Sequence, residues 1–177
     1  ATLPSPALAG GNELQLTVGP GYASIPDISE GLDGVGATVD LTYRFDEFWA
    51  VSLGGHFSHH FGEVVPGEEE DDPPEVFEDT NIATVWIGPR FSLDYFVLVP
   101  YVSIAPELIV TSGELLEDQE ETDFGLRFSV GFDYRPERHY SVGFEANYHS
   151  FLREPLVYPV LITTTFRFSY HYQFGLL

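Results

Sequence analysis

Along this chain, apolar and polar side chains alternate with a period of two in eight separate stretches. Side chains on a β-strand point to opposite faces in turn, so each stretch reads as a strand with one apolar face. The clearest covers 35–45. Val35, Ala37, Val39, Leu41, Tyr43 and Phe45 share one side, and Gly36, Thr38, Asp40, Thr42 and Arg44 share the other. The same reading predicts strands at about 13–22, 49–61, 83–93, 98–110, 123–134, 140–149 and 162–174. No segment reads as a helix. The longest apolar stretch, 96–110, is broken by Pro100, Pro106 and Glu107 and is too short to span a bilayer as a helix.

Three features favour lipid over water outside the sheet. The connections alternate in length. Those after the second, fourth and sixth strands are tight (46–48, 94–95 and 135–139), whereas the one after the third runs from about 62 to 80. Short turns on one side and long loops on the other are the pattern of outer-membrane barrels. The polar faces are also rich in Gly, Ser and Thr and carry no Lys, a poor surface for water. Aromatic residues gather near strand ends on the apolar faces: Tyr43, Phe45 and Trp49; Phe132, Tyr134 and Tyr140; Tyr170, Tyr172 and Phe174. Such belts sit at lipid–water boundaries. A soluble sandwich or lipocalin-like barrel is the competing fold.

The expected architecture is therefore all-β: an eight-stranded antiparallel up-and-down transmembrane barrel over residues 13–177. Short turns and both termini would face the periplasm, and longer acidic loops the outside. Residues 1–12 are expected to be a periplasmic tail or a signal-peptide remnant, since Ala1–Ala9 carries a small-x-small pattern before Gly10. The net charge of −21, with all seven basic residues Arg, excludes a nucleic-acid binder. The lack of Cys excludes disulfides and thiolate metal sites.

The last strand, Phe166-Arg-Phe-Ser-Tyr-His-Tyr-Gln-Phe174, resembles the C-terminal assembly signal of outer-membrane barrels, with Phe168, Tyr170, Tyr172 and Phe174 at alternate positions. Gly-Pro-Arg at 88–90, Pro100-Tyr101 and 144–148 strengthen the likeness. The chain as a whole is similar to the small OmpA/OmpX-like superfamily. Gly175-Leu-Leu177 after Phe174 departs from that pattern. The resemblance implies outer-membrane lipid, lipopolysaccharide and the barrel assembly machinery as partners, with copies of the chain or other envelope proteins as further candidates. It specifies fold far better than function.

An inward-pointing polar face would place Asp40, Arg44, Arg90, Glu107, Asp123, Arg127, Asp133, Glu145 and Arg167 in the lumen. Eight strands enclose little more than their own side chains, so these charges are expected to pair and close the lumen. The remaining acids concentrate in loops. Glu68, Glu69, Glu70, Asp71 and Asp72 form the densest run, a candidate site where calcium would bridge loops to lipopolysaccharide or to other copies. No calcium-loop spacing is present, and no other metal site or cofactor is expected. His56, His60 and His149 point inward, but their strands are far apart around the ring.

The enzyme alternative rests on Asn147-Tyr-His-Ser150, which is faintly similar to lipid A deacylases. His149 and Ser150 are adjacent, so alternation sends them to opposite faces, and no carboxylate is evidently placed to orient His149. The expectation is a non-enzymatic surface barrel with a structural, adhesion or assembly role. A barrel transporting small molecules is the other alternative. For it, Pro100 and Pro106 mark the fifth strand as the place where lost ladder donors would weaken the wall.

Overall fold

The computed structural model describes residues 12–26, 32–62, 64–65, 75–76, 79–94, 97–113, 122–152 and 160–174. Most of the tail and the run Glu68, Glu69, Glu70, Asp71 and Asp72 lie outside these residues. The strands are β1 (Glu13–Ile25), β2 (Leu32–Arg44), β3 (Trp49–His60), β4 (Val64–Val65), β5 (Glu75–Val76), β6 (Thr80–Ser92), β7 (Leu98–Ser112), β8 (Thr122–Tyr134), β9 (Tyr140–Phe151) and β10 (Leu161–Gln173). Eight of them close into an antiparallel barrel in the order β1-β10-β9-β8-β7-β6-β3-β2. Closure pairs first strand with last, Glu13 opposite Gln173 and Ser24 opposite Ile162, leaving no sheet edge to be satisfied in lipid. The short strands β4 and β5 pair with each other inside the connection expected to be loop. Two residues per arm are too few for a period of two to register.

The faces are inverted relative to a water-soluble protein. Outward Val35, Val130 and Phe166 are 56%, 59% and 47% exposed, while inward Asp40, Glu145 and Arg167 are 4%, 2% and 1% exposed. A sheet that shows water its apolar side and buries its charges would not be stable, so the apolar belt is a lipid surface. At the short-turn end the belt finishes in aromatic contacts. Phe48 stacks on Phe91 at 5.9 Å, and Tyr172 meets Phe174 edge-on at 5.0 Å.

At the long-loop end the strands run further than the alternation suggests. β1 extends to Ile25, β2 begins at Leu32, β6 at Thr80, and β9 reaches Phe151. There the pattern reverses. Ala23, Ile25, Leu32, Ile82, Ile109, Phe151 and Leu161 turn inward and form an apolar cap over the lumen. Outward neighbours such as Asp33 and Asp79 are polar and exposed. The reversal hides the strand ends from a reading that follows one apolar face outward.

Two breaks interrupt the ladders, and each contains proline. Between β1 and β10, pairing skips from Val18–Phe168 to Gly21–Thr165, around Pro20. Between β6 and β7 it skips from Trp86–Glu107 to Arg90–Ser103, in the same register on both sides. Pro89 and Pro106 lie in that gap, and neither has an N–H to donate. Pro100, by contrast, sits in an unbroken ladder opposite Phe132 on β8, and its carbonyl accepts from the Leu93 N–H at 3.0 Å. In β7 the weakened pairing is therefore on the β6 side of Pro106, which falls opposite Ile87, while Pro89 falls opposite Ile104.

Candidate functional site

The lumen holds three polar tiers beneath the apolar cap. The middle tier centres on Glu145 of β9. Arg127, on neighbouring β8, donates to Oε1 at 2.6 Å. Arg167, on neighbouring β10, donates to Oε2, and so does Arg90 from β6 across the lumen at 3.3 Å. The Tyr101 hydroxyl from β7 also donates to Oε2, at 2.9 Å. One carboxylate thus takes four donors from four strands. Asp40 stands 3.9 Å from both Arg90 and Arg167, and Asp133 stands 3.5 Å from Arg167, so three guanidiniums face three carboxylates. Aromatic faces hold the cations in place: Arg90 lies 3.6 Å over the Tyr101 ring and Arg127 4.0 Å over Trp86. Glycines make room for those rings. A Cβ on Gly131 would stand 2.4 Å from the Tyr101 hydroxyl, and one on Gly54 2.4 Å from Trp86 Cζ2.

The tier at the short-turn end ties the first strand to the last. Glu13 receives two hydrogen bonds from Arg135, at 3.0 and 2.6 Å, and stands 2.8 Å from His171 Nδ1 on β10. The Ser141 hydroxyl holds the other ring nitrogen at 2.8 Å. Asp94, in the turn before β7, accepts from Arg44 at 2.8 Å and Arg135 at 3.3 Å. Burial pushes the Asp94 carboxyl above its ordinary range, and the pull of Arg44 and Arg135 does not cancel the effect.

The tier under the cap is a chain of three residues. Glu107 on β7 stands 2.9 Å from His149 Nδ1, and His149 Nε2 stands 3.1 Å from the Thr163 hydroxyl of β10. The Asn147 amide donates to the same hydroxyl at 3.0 Å. Two positions outward on each strand stand Ile109, Phe151 and Leu161, so cap and chain are built by the same strands. His56 and His60 are also buried on the inner face of β3, where Thr38 and Ser58 hydroxyls meet them at 2.9 and 3.1 Å. Among the described residues, no group of His, Asp and Glu is arranged to hold a metal ion.

Asp40, Arg90, Arg127, Asp133, Glu145 and Arg167 thus meet in one network, while Arg44 joins the separate tier at the short-turn end and Glu107 pairs with a histidine. Asp123 departs from expectation: it is half-buried at the start of β8 and accepts from the Phe124 N–H at 2.7 Å. The expectation that no carboxylate orients His149 is overturned by Glu107, which the register of β7, β8 and β9 brings across from a distant stretch of sequence. His149 and Ser150 do occupy opposite faces: His149 is fully buried, while Ser150 pairs with Leu126 on the outer side. Asp94 and Arg135 escaped the sequence reading because they lie in turns, where alternation gives no facing. Glu13 and His171 stood on the polar faces but lacked an evident partner. Phe168, Tyr170, Tyr172 and Phe174 all point outward, 45–53% exposed.

Residues 1–174 match the family described as outer membrane protein beta-barrel domain. The chain belongs to this family. Its place is therefore the bacterial outer membrane, and the apolar belt is its lipid surface. No curated protein matches the sequence. Among solved structures, this barrel is similar to the attachment invasion locus protein Ail of Yersinia pestis, at TM-score 0.62 and 14% identity, covering 92% of this chain and 100% of that one. It is equally similar to OprG of Pseudomonas aeruginosa, at TM-score 0.62 and 12% identity over 93% and 97% of the two chains. The outer membrane enzyme PagL matches at TM-score 0.51 and 11% identity over 89% and 97%. At such identities the likeness is one of fold alone, shared by proteins with different roles.

Proposed function

We propose that this outer-membrane barrel is a non-enzymatic surface anchor with a closed lumen. It presents acidic loops outside the cell, and its short turns and termini face the periplasm. The observation that carries this reading is Glu145 with its four donors, which fills the barrel at mid-height with a neutral, cross-strand network. A conducting pore needs a continuous aqueous path. Here the path is crossed by Arg–carboxylate pairs whose rupture would strand buried charge. Planar-bilayer recordings of the pure protein test this: no steady large conductance is expected, and stable large channels would overturn it.

The role outside is that of an anionic surface. Five of the seven Arg (Arg44, Arg90, Arg127, Arg135 and Arg167) are buried, so few fixed cations remain to meet lipopolysaccharide phosphates. Calcium bridging from Glu68, Glu69, Glu70, Asp71 and Asp72 to those phosphates, or to copies of the chain, fits this imbalance. Calorimetric titration should show heat at millimolar calcium, and its absence would remove calcium from the proposal. Phe168, Tyr170, Tyr172 and Phe174 are assigned to recognition by the assembly machinery, supported by their shared outward face.

A further inference from the structure

The outer face of the barrel carries an apolar groove with a volume of about 620 Å³, running from Trp49 and Phe91 across β7, β8 and β9 to Tyr148 and Ile162. That volume lies within the range of small-molecule sites. Pro89 and Ile104 line it, and these are residues of the β6–β7 gap. The inward residues of the gap are Gly88 and Ala105. A Cβ on Gly88 would already stand 2.7 Å from that of Ala105. The gap's own inward residues are thus small and lie between buried Trp86 and Arg90 of β6, while its outward residues Ile87, Pro89, Ile104 and Pro106 present an apolar seam to the membrane.

We propose that the groove binds one acyl chain of a phospholipid, which packs against the apolar residues along the β6–β7 seam. The groove is continuous with the lipid surface established by the exposed apolar belt, so a membrane lipid is its natural occupant. Its Trp49–Phe91 end adjoins the short-turn side of the barrel, beside Phe48. A chain entering there belongs to the periplasmic leaflet. The leaflet assignment rests on the orientation proposed above, but the groove itself does not. Val102, Val130 and Ala146 offer low apolar relief along the path, bounded by larger Phe128 and Tyr148.

The test is native mass spectrometry of the whole barrel, extracted from the outer membrane in mild detergent. The wild-type protein should retain a single phospholipid. Ala146→Trp and Val130→Trp, which fill the groove at two points, should lose it. Val39→Trp, on the lipid face of β2 outside the groove, should keep it. The urea midpoint of the wild-type barrel in detergent should rise when phospholipid is added back, and that of Val130→Trp should not. Retention unchanged in both groove variants, or no retained lipid in the wild type, would overturn the site. Retention of lipid A instead of phospholipid would overturn the phospholipid occupant and its entry at the Trp49–Phe91 end, since the Tyr148–Ile162 end of the groove reaches the long-loop side. Where the groove fails, the conductance recordings still judge the closed lumen independently.

Discussion

Replacing Glu145 by Gln removes one charge from the centre of the lumen and nothing from its shape. In the native network Arg127 stands 2.6 Å and Arg90 3.3 Å from this carboxylate, with Arg167 in contact. Unit charges 2.6 Å apart attract by roughly 6 kcal/mol at an effective dielectric constant of about 20. Burying each ion costs several kcal/mol, so the intact network contributes little net stability. The variant loses the attraction but keeps the cost. Arg90 and Arg167 would keep only Asp40 and Asp133, 3.5–3.9 Å away, and Arg127 would lose the carboxylate it donates to. Breaking a buried pair in this way is expected to destabilise the barrel by about 3–5 kcal/mol. Urea unfolding in phospholipid vesicles, followed by tryptophan fluorescence, measures it. The chain has only two Trp, and Trp86 lies directly under Arg127. Glu137→Gln, in an exposed turn, should change stability by less than about 0.5 kcal/mol. Replacing Glu145 and Arg127 together by apolar residues should recover part of the loss. A Glu145→Gln barrel within about 1 kcal/mol of wild type would refute the uncompensated-charge argument.

Other perturbations probe the remaining tiers. His149→Phe leaves Glu107 buried beside an apolar ring and should cost about 3–5 kcal/mol; adding Glu107→Gln should return part of that loss in the same unfolding assay, and a further drop would argue against pairing. Leu53→Arg puts a charge on the lipid face and is expected to cost about 2–4 kcal/mol near the bilayer midplane, read from the shift in urea midpoint. Gly54→Ala drives a methyl into the Trp86 ring, 2.4 Å from Cζ2, and should cost about 1–3 kcal/mol with an altered Trp86 emission.

The alternation of side chains determined a great deal by itself. It set the number of barrel strands, the facing of Asp40, Arg90, Arg127, Glu145 and Arg167, and the separation of His149 from Ser150. It could do so because strand facing is a local property of period two, independent of what stands opposite. Partner choice is not local. Glu107 meets His149 across 42 positions and Arg135 meets Glu13 across 122, and only the register of a closed sheet decides such meetings. The turns that return Asp94 and Arg135 to the lumen carry no period at all. The apolar cap was hidden for a related reason: past the membrane boundary the outside becomes water, so the same inward position that must be polar or small at mid-height becomes Ile109, Phe151 or Leu161. Within the regular part of a strand, the sequence alone settles which face a residue takes. Only the closed barrel settles what that face looks upon, because distance around the ring, depth in the lipid and the identity of the neighbour all arise from closure.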